Sequence, residues 1–511
     1  MKWYSALAFA AVVVGIVWWV SGKTLPQLLR WAPKRTLTDQ DIAAVADELE
    51  RRSPAKLYVD ELPDAPKPVR GPFTYGLQAM KEYKWDEAIE HFNQALRHAT
   101  GRQRVALFNL IGLSHYVPGR LDSALSYFSE SATQAEVSGD DSGLVAAVGN
   151  VGLVHRDMGD LRAAGESFRR ALVVSQRSLS RVGEMKALVN IGTVFHQTGM
   201  MDSAYEYYVA ASEIAREVGD LEVEALALGN IGLYHHWRGD LVQALKAYER
   251  ARRIFRGLGD ARREAGALAN MGLVHQSRGE LEEALACFQE ALALNRSVGD
   301  RQGEARDLGN LALAYKDMGE MELALRGFRE ALAIDRECGN RRGEAHDLGN
   351  IGMVYLYDGH DDVALAYLDS ALKIHVETED IAAWAQDLGN IGSAYRQKGE
   401  IGKAIDSYRR SIEMATRAGR TDTRAYSLVG VSLCYSDQGS PDDALRDLAQ
   451  AFVLFRDMGI QEGLGQVRIG VMRFLEVFGP EGLHESRRRV NLPESTIDSL
   501  LALVPEAAAG G

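Results

Sequence analysis

The sequence predicts an all-α chain: a solenoid of about ten stacked helix pairs, preceded by one apolar helix long enough to cross a membrane. Three observations carry this. Asparagine recurs at 150, 190, 230, 270, 310, 350 and 390, an interval of 40 residues without drift. Glycine keeps the same interval from 119 to 439, and alanine from 124 to 444. Residues 3–20 form an unbroken stretch without charge. Self-similarity at a fixed period of this size marks a repeat architecture, in which each unit buries its apolar face only against its neighbours. Composition agrees. The 511 residues are 46% apolar and 25% charged, which excludes a mostly disordered chain and a polytopic membrane protein. The formal net charge of −13 argues against non-specific binding to nucleic acid, which needs a basic face. Three scattered cysteines make a disulfide framework unsuited to this chain.

The amino-terminal stretch, Trp3 to Val20, has the length of a bilayer core, with Trp3, Tyr4, Trp18 and Trp19 at its two ends. The alternative is a cleaved secretory signal. The charged start Met1-Lys2 fits it, but Val20-Ser21-Gly22 is a poor cleavage site. An uncleaved anchor is the expectation. Lys23, Arg30, Lys34 and Arg35 follow the stretch, so the positive-inside bias places the body on the cytoplasmic side rather than outside the membrane.

Residues 23–68 read as a juxtamembrane region. Ile42, Val45, Ala46 and Leu49 share one face of a short helix over 38–52. Pro54, Pro63, Pro66, Pro68 and Pro72 then predict an extended spacer rather than a helix.

Ten repeats follow over residues 69–459. Each reads as two helices. In one copy, Glu304 to Met318 precedes Gly319 and Met321 to Cys338 precedes Gly339. Glycine just past a helix end takes the left-handed conformation at little cost. The residue after it, as at Asp160, Asp240, Asp300 and Asn340, can cap the next helix. Asp240 with Gln243 has the spacing of a capping box. Small residues such as Gly152, Ala164 and Ala171 let backbones approach, and Leu161, Phe168 and Leu172 fill the gaps between. Residues 460–490 continue the register. They carry Arg487-Arg488-Arg489, which suits a polar cap on the stack, and residues 491–511 form a tail.

This pattern resembles the tetratricopeptide repeat. The family's small and aromatic positions appear as Ile351-Gly352, Tyr355, Ala364, Leu368 and Ala371, and in most other copies. Leu308-Gly309-Asn310, Leu348-Gly349-Asn350 and Leu388-Gly389-Asn390 make the 40-residue variety similar to the LGN/Pins polarity adaptors and related bacterial arrays. The resemblance implies a right-handed superhelix whose first helices line a concave surface. It therefore places Asn150, Asn190, Asn230, Asn270, Asn310, Asn350 and Asn390 along one inner ladder. A carboxamide both donates and accepts, so such a ladder can hold the main chain of a peptide without demanding its sequence. Helical spacing sets Lys186 and Arg306 four residues before an asparagine, and Asp157, Trp237, Asp317 and Tyr357 seven after. The other reading is that the asparagines bond the neighbouring repeat and shape the coil. A row of histidines at 115, 155, 235 and 275 fits packing better than metal, because equivalent positions on adjacent helices lie about 8–10 Å apart.

No nucleophile elbow, zinc signature or nucleotide fingerprint occurs in the sequence. The expectation is therefore a membrane-anchored, non-enzymatic scaffold without cofactor or metal. It takes extended or helical peptide segments of partner proteins, within an envelope-associated complex. The alternative is a sensor whose superhelix changes shape on binding a peptide.

Overall fold

The structure, a computed structural model, describes residues 67–504. Among them are twenty-two helices. Ten antiparallel pairs come first: α1 (Lys67–Lys81) with α2 (Trp85–Leu96), α3 (Arg102–Tyr116) with α4 (Leu121–Ser138), α5 (Asp141–Asp157) with α6 (Leu161–Arg177), α7 (Arg181–Gln197) with α8 (Met201–Val218), and α9 (Leu221–Trp237) with α10 (Leu241–Leu258). There follow α11 (Ala261–Ser277) with α12 (Leu281–Ser297), α13 (Arg301–Asp317) with α14 (Met321–Cys338), α15 (Arg341–Tyr357) with α16 (Asp361–Glu377), α17 (Ile381–Gln397) with α18 (Ile401–Arg417), and α19 (Thr421–Asp437) with α20 (Pro441–Met458). The chain closes with α21 (Gln461–Val490) and α22 (Glu494–Leu501). They form two compact units. The first runs to Asn310 and includes Glu337–Gly339; the second holds Leu311–Arg336 and the residues from Asn340 onward.

Eight of the ten pairs close on one contact, in which the aromatic or leucine of the second helix lies on a glycine of the first, as Tyr248 does on Gly232 in the first unit and Leu368 on Gly352 in the second; Ala312 and Ser432 take the glycine's place in the other two. A Cβ on Gly232 would come within 2.7 Å of the Tyr248 ring, and one on Gly352 within 2.8 Å of Leu368 Cγ. Glycine is needed here for close approach. At the turns it is needed for conformation: Gly119 (φ 82°) and Gly439 (φ 76°) end first helices in the left-handed region. Side-chain caps start many of the helices. Asp160 accepts from the Ala163 amide at 2.9 Å, Asp300 from Gly303 at 3.1 Å and Asn340 from Gly343 at 3.3 Å. Asp240 differs from its expected capping box. Its side chain makes no cap bond, and its carboxylate lies 3.6 Å from His235 Nδ1.

The spacer reading fails at its end. Pro68 and Pro72 lie inside α1. Proline is tolerated in a first turn, where amides lack helical partners, and burial of Val69 and Phe73 against Phe92 and Ala88 holds the segment to the stack. Beyond α20, α21 bends at Gly479 (φ 68°, ψ 175°), before Pro480. Val467, Val471, Phe474, Leu483, Ile497 and Leu500 cover the end of the stack at Phe452 and Phe455.

The membrane expectation is corrected. Residues 3–20, for which the sequence predicts a transmembrane helix, lie outside the described residues, as do the 38–52 helix and residues 505–511 of the tail. No helix among the described residues is long and apolar enough to cross a membrane. The reason is amphipathicity: even the 30-residue α21 carries Arg468, Arg473, Glu476 and Glu481, charges that a bilayer core does not accept. The structure supports an α-solenoid; a membrane-anchored chain, on either side, is not supported.

Candidate protein-binding surface

Within each unit, first helices pack on first helices. Bonds between residues 41 apart tie them directly. In the first unit Asn150 Nδ2 donates to Asn109 Oδ1 (3.4 Å), His236 Nε2 meets Ser277 Oγ (3.1 Å), and the Tyr116 hydroxyl donates to Asp157. In the second, Gln397 Nε2 donates to the Leu356 carbonyl (3.2 Å). Second helices are spanned instead by long side chains, as by Arg170 to Glu136 and Arg409 to Asp447. Within each unit the first helices are therefore the more closely packed layer.

The asparagines lie on these helices, half-buried except for Asn230, which is buried with its Nδ2 unpartnered. Among the described residues, Asn150 is the member of the row that bonds a neighbouring repeat through its side chain. Asn190, Asn270 and Asn310 in the first unit, and Asn350 and Asn390 in the second, keep their carboxamides partly open. Lys186 and Arg306 are exposed, the latter with Nη2 3.3 Å from Asp307. Trp237 (59% exposed) and Tyr357 (67%) end their helices in the open. Trp237 rests beside Tyr234 (centroids 6.2 Å), which stacks on Tyr205 at 4.2 Å, and the Tyr234 hydroxyl donates to Asp202 (2.7 Å). Leu233 is exposed one turn before Trp237. The first unit thus presents an aromatic platform beside its amide row. Asp157 does not belong with this surface. It is buried, bonded by Tyr116 and paired with Arg156 at 3.1 Å. Tyr116 is pushed well above the usual phenol range by burial and by that carboxylate.

The histidine row packs. His115 stacks on Tyr127 (5.3 Å) and is pushed down by burial; His275 Nδ1 meets Glu280 at 2.7 Å. Among the described residues no group of three or more His, Cys, Asp or Glu is arranged to hold a metal. Cys434 is buried, which pushes its thiol up to about 12.

Two rows escaped the sequence reading. The first is a glutamate three residues into a first helix: Glu224, Glu264, Glu304 and Glu344, all buried. An arginine eight residues earlier grips three of them at 2.7–2.9 Å: Arg256–Glu264, Arg296–Glu304 and Arg336–Glu344. In the next repeats Arg301 joins Glu304 to Glu337, and Arg341 joins Glu344 to Glu377. The second row is the aspartate before three of the four Leu-Gly-Asn triplets; Leu228-Gly229-Asn230 follows Ala227 instead. Asp307, Asp347 and Asp387 are buried, and each meets a polar residue of the preceding second helix. Asn295 Nδ2 donates to Asp307 at 2.6 Å, and His375 Nδ1 bonds Asp387 at 2.6 Å. Asp347 has a carboxylate, Asp335, for its neighbour. Burial pushes Asp307 up to about 6. Burial with the Asp335 charge pushes Asp347 up to about 8, and burial raises Asp387 against the pull of His375. Both rows repeat at 40 residues, which was the signal available for them.

Family models described as tetratricopeptide repeat match residues 183–257, 263–337 and 308–375, residues 388–416, and residues 76–140, together more than half of the chain. The chain belongs to the tetratricopeptide repeat family. The description identifies the repeat and not the polarity-adaptor variety. No curated protein matches this tetratricopeptide repeat chain in sequence. Solved structures do match in fold. The apo form of RapI is 14% identical, with a TM-score of 0.54, over 70% of this chain and 99% of that one. The apo quorum sensor NprR from B. thuringiensis is 14% identical, with a TM-score of 0.50, over 68% and 98%. BtubC from P. vanneervenii is 22% identical over 42% and 91%, with a TM-score of 0.39.

Proposed function

We propose that this tetratricopeptide repeat protein is a non-enzymatic scaffold that holds extended or helical segments of partner proteins on the first-helix face of its units. The observation that carries the reading is the row of half-buried asparagines on the first helices without a side-chain bond to the fold. An amide that the fold consumed for its own packing would be bonded, as Asn150 is; its half-buried equivalents Asn190, Asn270, Asn310, Asn350 and Asn390 keep donor and acceptor for a main chain. Trp237, Tyr234 and Leu233 add an apolar anchor where a partner side chain can be desolvated, the kind of contact that dominates interface energy. Lys186 and Arg306 set charge along the same face.

Replacing Asn270, Asn310 and Asn350 together by Ala is expected to weaken partner capture at least tenfold while circular dichroism and melting stay unchanged. If the array melts instead, the asparagines are structural and the reading is wrong. A second reading, a sensor that changes shape on binding a peptide, draws support from the fold it shares with the solved quorum sensor NprR. The two separate on one measurement: a sensor changes its radius of gyration on adding peptide alone, and a scaffold co-purifies with a stoichiometric partner without that change.

A further inference from the structure

In several copies the turns that lead from one helix pair to the next carry polar residues. Ser138, Ser178 and Thr378 close second helices, and Asp141, Arg181, Arg301 and Arg341 begin first ones. From α7 to α10, within the first unit, the equivalent positions turn apolar. Val218 and Leu258 close α8 and α10, and Leu221 begins α9. With Val182 of α7 they line a shallow cleft of about 470 Å³, and all four remain 38–49% exposed. Leu179 stands three residues before Val182. It is 85% exposed and left-handed at φ 55°, a conformation that is unfavourable for an L side chain and that the copies on either side give to Gly139 and Gly219. Nothing in the packing of the stack accounts for an exposed leucine held there.

The charges at the rim of the cleft are engaged with one another. Arg181 meets Glu184 and Glu217, Arg263 meets Glu222 and Asp260 (both 2.9 Å), and Arg262 meets Asp300 (3.1 Å). Lys186 differs. It lies one helical turn after Val182 on α7, is exposed, and takes part in no ion pair among the described residues. An apolar floor beside one unmet cation suits a helix with one apolar face and an acidic remainder.

We propose that this cleft is the docking site of residues 38–52 of the same chain, seated as an amphipathic helix. The segment lies outside the described residues, and its sequence matches the cleft. Ile42, Val45, Ala46 and Leu49 share one helical face, and Asp39, Asp41, Asp47, Glu48 and Glu50 supply carboxylates for Lys186. The reach is sufficient. First helices start and second helices end at one edge of the stack, so the chain enters α1 at Lys67 on the edge where the cleft opens. The helices α7 and α9 stand three and four first helices further on, roughly 24–40 Å away at about 8–10 Å per neighbour. Residues 50–66 span about 55 Å when extended. Residues 3–20 fit less well, because they are apolar on every side and a shallow cleft leaves most of that surface in water. Once docked, the helix covers Lys186, one turn before Asn190, and so competes with a partner for that part of the amide row.

The test is photo-crosslinking in the purified full chain, with the photoreactive residue at Leu221 in the cleft and, as a control, at Val242 on the opposite edge, where second helices start. Leu221 should join a peptide within residues 38–52 in a product of single-chain mass, and Val242 should not. Ile42→Asp combined with Val45→Asp should lower the yield at Leu221 by about tenfold or more. Both substitutions lie outside residues 67–504, so the loss reports docking rather than a damaged cleft. A product of twice the mass, a crosslink to residues 3–20 or to no segment, or a yield at Leu221 that survives the double substitution overturns the proposal.

Discussion

The junctions of α8 with α9 and of α12 with α13 have the same geometry and opposite interiors. In one, Ala215 faces Ala227 and both are fully buried. In the other, Asn295 faces Asp307, equally buried and joined at 2.6 Å. The difference teaches that the stacking frame does not dictate the chemistry of its seam. It dictates that the two sides change together. A lone carboxylate in the alanine seam would have no partner, and the lone asparagine would lose its acceptor. At Asn295/Asp307 and His375/Asp387 the polar residues accordingly come as pairs on consecutive helices, and they place titrating carboxyls inside the stack.

The sharpest way to break this comparison is to put one half of a polar seam into the apolar one. Ala227→Asp buries a carboxylate opposite Ala215 and is expected to cost about 3–5 kcal/mol in urea denaturation at neutral pH, with part of the loss recovered at acid pH as the carboxyl protonates. A loss under 1 kcal/mol would mean that the seam opens to water freely. A smaller effect comes from the polar side. Asn295→Ala removes the donor from Asp307 and is expected to cost about 1–3 kcal/mol. It should also raise the Asp307 midpoint further above about 6, read by carbon-detected titration of the side chain. The sign is fixed: the bond to Asn295 favours the ionised form, so its removal favours the proton.

Much of the fold was legible in the sequence, and for a specific reason. A repeat shows its register many times over, so Gly119, Gly159 and their equivalents announce the turn inside nine of the ten pairs, and Gly232 with Tyr248 and their equivalents announce the closing contact inside eight; Tyr83, Leu179 and Glu379 take the left-handed turn position without glycine. The surface was legible in part. Trp237 and Tyr357 are exposed, but Asp157, on the same register, is drawn inward by the Tyr116 hydroxyl. One helix cannot show that, because the partner lies 41 residues away. The buried aspartates and glutamates were missed because a polar residue on an amphipathic helix reads as a solvent face until its packing is seen. The proline run misled in the opposite way. Pro68 sits where helix amides are unpaired anyway, and the burial of Val69 and Phe73 outweighs the bond lost at Pro72.

The most direct measurement of the central claim is site-specific photo-crosslinking in the native host, with the photoreactive residue placed in turn at Asn270, Asn310 and Trp237 on first helices and at Arg253 and Lys373 on second helices. The first three positions should yield the same partner, joined through one contiguous peptide segment, and the last two should not. Crosslinks confined to the second helices, or first-helix positions that capture nothing while a partner still co-purifies, would contradict a protein that works through its first-helix face.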